Sequence, residues 1–198
     1  MIVYIPGASA TAESFTHIRQ YVRDYIEEPD IALEYRSEAG FEHNLSEMKG
    51  QLDHEERLFF VSHSLGGIYA LHLANHYSQT TVGGVSLSTP YGGSKQADYA
   101  RYFLPFNRLM KDIGPQSRPM AAAKKLPPPP CWTQVVTTRG ASPWIQEPND
   151  GVVTIESQQY RTDFETVELP LNHYEVVISN QVVDIVLDRI QRVIAQRG

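Results

Sequence analysis

The sequence predicts an α/β fold, with a mostly parallel sheet and helices on both of its faces. Short apolar runs alternate along the chain with segments whose apolar residues recur at helical spacing, which is typical of strand–helix–strand units. The 198 residues suffice for one domain with its own core, and 41% hydrophobic against 20% charged residues argue against a disordered chain. Cys131 is the single cysteine, so no intramolecular disulfide supports this fold.

Strands are predicted where short apolar runs are bounded by turn residues. These runs occupy residues 2–5, 31–35, 58–62, 82–88, 133–138 and 164–169. The third run, Leu-Phe-Phe-Val-Ser, contains no charged residue, which predicts a strand buried on both faces.

Helices are predicted over residues 14–26, 42–56, 65–77 and 180–196. Ser14 is the expected N-cap of the first helix, because a serine hydroxyl accepts hydrogen bonds from the unpaired amides at a helix start. The last helix is amphipathic and must cover part of the core. Its apolar face consists of Val182, Val183, Ile185, Val186, Ile190, Val193 and Ile194.

Residues 94–130 interrupt this alternation, because they contain no strand signal. We expect them to form a helical insertion into a single domain that spans residues 1–198. Pro105 breaks the helical spacing, and four consecutive prolines at residues 127–130 favour an extended polyproline conformation. Four aromatic residues are candidates to bind substrate, or alternatively to pack the insertion onto the sheet: Tyr99, Tyr102, Phe103 and Phe106.

The net charge of −6 argues against nucleic acid as a partner, because phosphate binding needs a basic surface. No apolar run approaches the roughly 20 residues that span a bilayer, so no stable membrane insertion is expected. Met1 leads directly into an apolar strand candidate, without a basic segment or a cleavage site, and a cytoplasmic protein is therefore expected. The composition leaves the oligomeric state open.

A candidate nucleophile lies where the third predicted strand meets the third predicted helix. Ser64 occupies this join, with the small residues Ser62 and Gly66 two positions to either side. A serine on such a turn holds its hydroxyl outside the sheet, and the amides at the start of the next helix face the same point. A tight turn with a capping serine would produce the same local pattern, and a lone Ser-x-Gly usually has that meaning.

The segment S-H-S-L-G-G at residues 62–67 resembles the nucleophile elbow of the α/β-hydrolase family, and within it the small lipases and esterases. Ser62 stands where the family usually has its first glycine. The resemblance covers nearly the whole chain and implies a minimal α/β-hydrolase fold with a cap at about residues 94–130. It also implies that Ser64 is the nucleophile. His63 cannot fold back to act as the base of its neighbour, so we expect a packing or supporting role for it.

A serine hydroxyl needs a general base to become a nucleophile. Of the seven histidines, only His173 lies between the last predicted strand and the final helix, and its surroundings resemble the family's histidine loop. The family order of serine, acid and histidine implies Asp150 as the acid, in an Asn-Asp-Gly-Val-Val stretch that resembles the lipase acid loop. An Asp-Gly step is also an ordinary turn signal, and Glu147 and Asp163 are alternative acids.

Two backbone amides are expected to form an oxyanion hole. The first belongs to Leu65, which follows the nucleophile. The loop Pro6-Gly7-Ala8 resembles the family's oxyanion loop, with Pro6 in place of histidine, which implies Ala8 as the second donor. Ser9 is the alternative donor if the loop is shifted by one residue. We expect glycine at position 7 because a tight turn favours a residue without Cβ.

These residues together imply a carboxylic-ester hydrolase with a small-molecule acyl substrate. No metal or organic cofactor is expected, because a serine, a histidine and an acid suffice for acyl transfer. His72 and His76 lie one helical turn apart, but no third ligand accompanies them, so a solvated helix face is expected rather than a metal site. A thioester or amide hydrolase with the same triad, and a non-catalytic binding protein on the same fold, are alternatives.

Overall fold

The computed structural model describes residues 1–8, 10–36, 38–93, 114–143 and 145–196. Within these ranges, six strands form one sheet in the order β2-β1-β3-β4-β5-β6, and every neighbouring pair is parallel. The strands are β1 (Ile2–Ile5), β2 (Asp30–Ala32), β3 (Leu58–His63), β4 (Thr81–Leu87), β5 (Trp132–Thr137) and β6 (Glu165–Leu169). The predicted α/β fold with a parallel sheet is confirmed.

Helices cover both faces of this sheet. They are α1 (Thr16–Tyr25), α2 (Phe41–Gly50), α3 (Leu65–His76), α4 (Arg118–Ala123), α5 (Ile155–Gln158) and α6 (Asn180–Ala195), with 3-10 turns at Ala12–Phe15 and Glu175–Val177. Helices α1 and α6 pack on one face through residues such as Ile18 and Val182. Helices α2 and α3 pack on the other through residues such as Met48 and Ile68. None of the helices in the described ranges has both the length and the apolar content that a bilayer span requires.

Strand β1 contributes to both cores, because successive side chains of a strand point to opposite faces. Val3 and Ile5 belong to the core with α2 and α3, whereas Ile2 and Tyr4 belong to the core with α1 and α6. All residues of β1 and β3 are buried. This two-sided burial explains why both strands are near-continuous apolar runs rather than alternating ones.

The strand order reverses between β1 and β3. Strand β2 lies on one side of β1, whereas β3 and all later strands lie on its other side. At such a reversal, the loops that leave the carboxyl ends of the two strands diverge and open a crevice. The loops that follow β1 and β3, the two strands at this reversal, contain Ala8 and Ser64.

Element boundaries depart from the sequence prediction where local signals compete. The prediction of Ser14 as an N-cap is wrong: Ser14 lies in a 3-10 turn, its Oγ donates to Thr11 O at 2.8 Å, and α1 has no side-chain cap. Serine competes for nearby backbone groups in this way wherever a turn precedes a helix. Strand β2 has three residues instead of five, and α2 ends at Gly50 instead of residue 56, because glycine has low helix propensity.

The predicted cap at residues 94–130 is described only from residue 114 onward. Its four predicted substrate-binding residues lie outside the described part of the chain: Tyr99, Tyr102, Phe103 and Phe106. Helix α4 packs on α3, where His72 Nε2 donates to Pro119 O at 3.0 Å and Met120 is buried in the core. The last part of the predicted cap is therefore anchored to the sheet domain.

Candidate active site

Ser64 lies at the sharp join between β3 and α3. Its φ of 52° and ψ of −125° place a non-glycine residue in the left-handed half of the backbone map, where a side chain is strained. Main-chain hydrogen bonds hold the join: Ser64 N donates to Leu87 O at 2.8 Å, and Gly67 N donates to Ser64 O at 3.0 Å. A strained serine between a buried strand and a helix has the geometry of a nucleophile elbow.

Close packing between β1 and the start of α3 requires a small residue at position 66, two residues after Ser64. A Cβ atom on Gly66 would lie 2.2 Å from Ile5 O and 2.5 Å from Pro6 O, far inside van der Waals contact. Glycine is therefore needed at this position, and its absence of a side chain brings the elbow against the end of β1. Ser62, which stands where the family usually has a glycine, is fully buried in β3.

The loop after β1 packs directly on the elbow. A Cβ atom on Gly7 would lie 3.0 Å from His63 Nδ1 and 3.2 Å from Ser64 Cβ. A turn begins at this glycine, because Ala10 N donates to Gly7 O at 3.2 Å. Its φ is not positive, and the close approach of His63 and Ser64 also restricts the space for a side chain there. The amides of Ala8 and Leu65 make no hydrogen bond with any other described residue. Ser9, the alternative oxyanion donor, lies outside the described residues.

Asp150 and His173 are joined by a buried hydrogen bond between the loops that follow β5 and β6. His173 Nδ1 lies 2.8 Å from Asp150 Oδ2, and His173 N donates to Asp150 O at 3.0 Å. Asp150 is fully buried and His173 is 3% exposed. Because a carboxylate accepts the proton on Nδ1, Nε2 of His173 is left as the nitrogen that can take up a proton.

Asp150 accepts more hydrogen bonds than the one from the histidine. Thr137 Oγ1 donates to Oδ2 at 2.6 Å, and Gln158 Nε2 donates to the same oxygen at 3.2 Å. The amides of Val152 and Val153 donate to Oδ1 at 3.0 Å and 2.7 Å. Burial acts to raise the pKa of Asp150, but the hydrogen bonds, first that of the histidine and then those of Thr137 and Val153, outweigh it and lower the pKa. The carboxyl group therefore stays ionised although it is buried.

Three residues around Asp150 were not singled out by sequence: Thr137, Gln158 and Gly140. The Thr137 hydroxyl proton is committed to the carboxylate, so Ser88 Oγ, 2.7 Å away, donates to Thr137 Oγ1. A Cβ atom on Gly140 would lie 2.0 Å from the carbonyl carbon of Asp150. A polar residue at the carboxyl end of a strand and a glycine shortly after it are the signals that would have pointed to Thr137 and Gly140. Gln158 carries no such signal.

The residue that precedes Ser64 contacts the loop that carries His173. This residue, His63, donates through Nε2 to His173 O at 2.9 Å, and the centroids of the two imidazole rings are 4.8 Å apart. Ser64 Oγ makes no hydrogen bond with any described residue, and neither does His173 Nε2. In enzymes without bound substrate such hydrogen bonds are often long, and they tighten when substrate binds.

The other candidate residues lie in different surroundings. The Glu147 side chain is exposed, and Asp163 forms an ion pair with Arg161 at 2.6 Å. The expected solvated face is wrong for His72, because α4 covers this residue and its ring packs against Phe41. Across the ranges described by the structure, no group of three or more His, Cys, Asp or Glu side chains is placed to hold a metal ion.

Comparison with known proteins finds similarity in structure but not in sequence. No family model and no curated protein sequence matches the chain. The mature form of the Bacillus licheniformis lipase BlEst2 superposes with a TM-score of 0.72 at 14% identity, covering 94% of this chain and 90% of that chain. A structure from work on carboxylesterases of the thaumarchaeon Nitrososphaera gargenis superposes with a TM-score of 0.68 at 13% identity, covering 98% of this chain and 91% of that chain. An E-2-(acetamidomethylene)succinate hydrolase superposes with a TM-score of 0.61 at 15% identity, covering 96% of this chain and 91% of that chain.

Similarity over nine-tenths or more of each chain identifies the structural class. The chain has the α/β-hydrolase fold. In this fold ligands bind at the carboxyl ends of the strands, and Ser64, Asp150 and His173 all lie in loops that follow those ends. Identities of 13–15% show the fold alone, so the activity has to be argued from the residues themselves.

Proposed function

We propose that the protein is a serine hydrolase that cleaves carboxylic esters through an acyl-enzyme. Ser64 is the nucleophile, His173 the general base and acid, and Asp150 the residue that orients the histidine. The observation that carries this proposal is the buried hydrogen bond between His173 and the ionised Asp150, linked through His63 to the strained Ser64 that follows it in the chain. A carboxylate on Nδ1 holds the tautomer whose Nε2 can take a proton from serine, and this is the function of the pair in serine hydrolases.

In the proposed acylation step, His173 Nε2 takes the proton of Ser64 Oγ while this oxygen attacks the carbonyl carbon of the ester. Asp150 stabilises the imidazolium that forms, because hydrogen bonds keep the carboxyl group ionised. The tetrahedral intermediate then collapses. The bond to the leaving alkoxy group breaks, and His173 gives its proton to that group, so an alcohol departs and the acyl group stays on Ser64.

The amides of Leu65 and Ala8 hold the negative oxygen of the tetrahedral intermediate in this proposal. Both amides lack a partner among the described residues, so they are available to an incoming oxyanion. The Leu65 amide is also the first of α3, where the helix dipole favours negative charge. Loss of one such donor typically slows turnover by roughly 100- to 1000-fold.

Deacylation repeats these steps with water as the nucleophile. His173 removes a proton from water, the hydroxide attacks the acyl carbon, and the proton returns to Ser64 Oγ as the carboxylic acid leaves. The scheme balances without a metal or an organic cofactor. The proposed substrate is a small acyl ester rather than nucleic acid, in keeping with the net charge of −6. The aromatic acyl pocket and the cytoplasmic location remain predictions from the sequence.

Covalent labelling with a small fluorophosphonate, read by intact mass, tests the nucleophile without a guess at the substrate. We expect one adduct on the wild type and none on Ser64→Ala, because only an activated serine attacks phosphorus. Ser62→Ala is the matched control: it removes a buried hydroxyl two residues away and should label like the wild type. An adduct on Ser64→Ala would show that another residue is the nucleophile, and no adduct on a folded wild type would contradict the proposal and favour a binding protein.

A matched substrate panel separates the ester hydrolase from its alternatives. The same triad can cleave oxygen esters, thioesters and amides, so the fold and the motif do not distinguish these bonds. We expect the highest kcat/KM on an oxygen ester when the acyl group is kept constant. A higher value on the matched thioester or amide would replace the ester assignment and leave the nucleophile unchanged.

A further inference from the structure

His63 is a buried polar residue that the proposed mechanism does not use. It is 5% exposed, and its Nε2 lies 2.9 Å from His173 O. A carbonyl oxygen only accepts hydrogen bonds, so Nε2 carries the proton and Nδ1 has a bare lone pair. Nδ1 is buried and has no hydrogen-bond partner among the described residues.

The imidazole ring of His63 touches three segments of the candidate site. It precedes Ser64 in the chain, so it belongs to the elbow itself. Its ring centroid lies 4.8 Å from that of His173, and its Nδ1 would lie 3.0 Å from a Cβ atom on Gly7. The elbow, the histidine loop and the loop with the predicted oxyanion donor therefore meet on one side chain.

Packing alone does not explain why this buried side chain is a histidine. Burial of a polar atom without a partner is unfavourable, and an apolar ring would fill the same space without leaving Nδ1 unsatisfied. Burial, together with the nearby His173, lowers the pKa of His63 to about 3, so the ring stays neutral near neutral pH. The feature that a phenylalanine would lack is the Nε2–H donor.

We propose that His63 is a positioning residue, whose Nε2–H hydrogen bond fixes the main chain at His173 and thereby the distance between the His173 ring and Ser64. This inference rests on the proposed function. The acid loop holds His173 through its Nδ1 and its main-chain amide, both bonded to Asp150. His63 supplies the attachment from the serine side, which those two bonds do not provide.

The expected effect follows from geometry rather than from charge. A catalytic group displaced by about 1 Å can slow a reaction by roughly 100-fold. Because two bonds to Asp150 remain when His63 is replaced, we expect kcat of His63→Leu to fall by roughly 10- to 100-fold rather than to vanish. KM should stay unchanged, because His63 is only 5% exposed and has little surface that a substrate could contact.

The experiment compares His63→Leu, His63→Gln and His63→Asn. An extended glutamine places its amide nitrogen about as far from Cβ as histidine places Nε2, whereas asparagine reaches only as far as Nδ1. We expect Gln to restore most of kcat and Asn to resemble Leu. Thr81→Val is the matched control, because it also removes a buried side-chain hydrogen bond to a main-chain carbonyl, that of Ala74 at 3.2 Å, and should leave kcat unchanged.

A spectroscopic measurement keeps this inference separate from the proposed function. The proton on His173 Nδ1, shared with Asp150, gives a far-downfield NMR resonance that does not depend on turnover. We expect this resonance to shift or broaden in His63→Leu and His63→Asn and to be preserved in His63→Gln. Unchanged resonance and kcat in His63→Leu, or equal losses in Gln and Asn, would overturn the positioning role. A wild type that shows the resonance but neither labels nor turns over would overturn the proposed function alone.

Discussion

The serine side and the acid side of the candidate site are held in place by different physics. The Ser64 side chain makes no hydrogen bond with any described residue, and glycines that let backbones touch position it: Gly66 against Ile5 and Pro6, and Gly7 against the elbow. The Asp150 side chain accepts hydrogen bonds from three side chains and two amides. The Ser64 side chain is therefore placed by close packing and by the main-chain hydrogen bonds of the elbow, whereas the Asp150 side chain is held by hydrogen bonds of its own.

This difference indicates which kind of substitution should damage each half of the site. Close backbone packing tolerates no added atom, but it leaves the serine hydroxyl without partners and free to react. A buried carboxylate tolerates no lost donor, because each hydrogen bond contributes to keeping it ionised. Added volume should therefore damage the serine side, and removed polarity should damage the acid side.

The largest effect is expected from Asp150→Asn. An amide on His173 Nδ1 favours the wrong imidazole tautomer, so we expect turnover to fall by roughly 10,000-fold while the fold persists. Glu147→Gln, an exposed acid in the same loop, is the control and should keep nearly the wild-type rate. If Glu147→Gln is the inactive variant in steady-state assays and Asp150→Asn is not, the acid is misassigned.

Gly66→Ala tests the serine side by adding one methyl group. Its Cβ atom would lie 2.2 Å from a backbone oxygen, which cannot rotate away, so we expect a loss of about 3 kcal/mol in the free energy of unfolding. Gly50→Ala in α2 has nothing within 4 Å of the new atom and should be neutral or stabilising by up to about 1 kcal/mol. Urea denaturation measures both. Equal effects of the two substitutions would show that close packing does not hold the elbow.

Thr137→Val tests the acid side by removing one donor without changing the volume much. A hydrogen bond to a charged group contributes about 1.5–3 kcal/mol, so we expect kcat to fall about tenfold. Thr138→Val is the adjacent control, because Thr138 Oγ1 donates to Leu169 O rather than to the carboxylate. A rate for Thr137→Val as high as that of Thr138→Val would show that the other donors to Asp150 suffice.

Thr137→Val and Thr138→Val should also differ in how their free energy of unfolding depends on pH. The pKa of Asp150 is lower in the folded chain than the value of about 3.9 for an unfolded one. The stabilisation from the ionised carboxyl is therefore complete above the unfolded-state pKa and is lost as pH falls through the folded-state pKa. Thr137→Val should raise the pKa of Asp150 in the folded chain, so the ionised carboxyl then contributes less to the free energy of unfolding at neutral pH. Unfolding free energies at pH 7 and pH 3 should then differ less for Thr137→Val than for Thr138→Val.

The contrast between the two halves also explains what the sequence could predict. The elbow was recognisable because its requirements are residue types in one contiguous stretch, a buried strand followed by a serine between small residues. The order of strands and helices was predictable for the same reason, since hydrophobic periodicity is a local property. Boundaries such as the start of α1 were missed because the competing turn at Ser14 is decided by which backbone oxygen its hydroxyl reaches.

The donors around Asp150 take up their role only after folding, so Gln158 was not predictable and Thr137 had only its place at the end of a strand as a signal. Thr137 ends β5 and Gln158 ends α5, and each lies at least eight residues from Asp150 in the chain. The close neighbours of Gly7 were not predictable for a similar reason: His63 and Ser64, which restrict the space for a side chain there, lie more than fifty residues away in β3 and the elbow. Long-range contacts of this kind leave no periodic pattern in a single sequence.

The double attachment between Asp150 and His173 has a consequence for protein engineering. The two residues are joined both through their side chains and through their main chains. Between the same two loops, Arg139 N also donates to Leu171 O at 3.1 Å. The loops that carry Asp150 and His173 should therefore be exchanged together, along with Thr137 and Gln158, whose side chains donate to the carboxylate. A chimera that takes one of these loops from another chain of the same fold and keeps the other would inherit mismatched halves, whereas moving both together keeps the hydrogen bonds between Asp150 and His173.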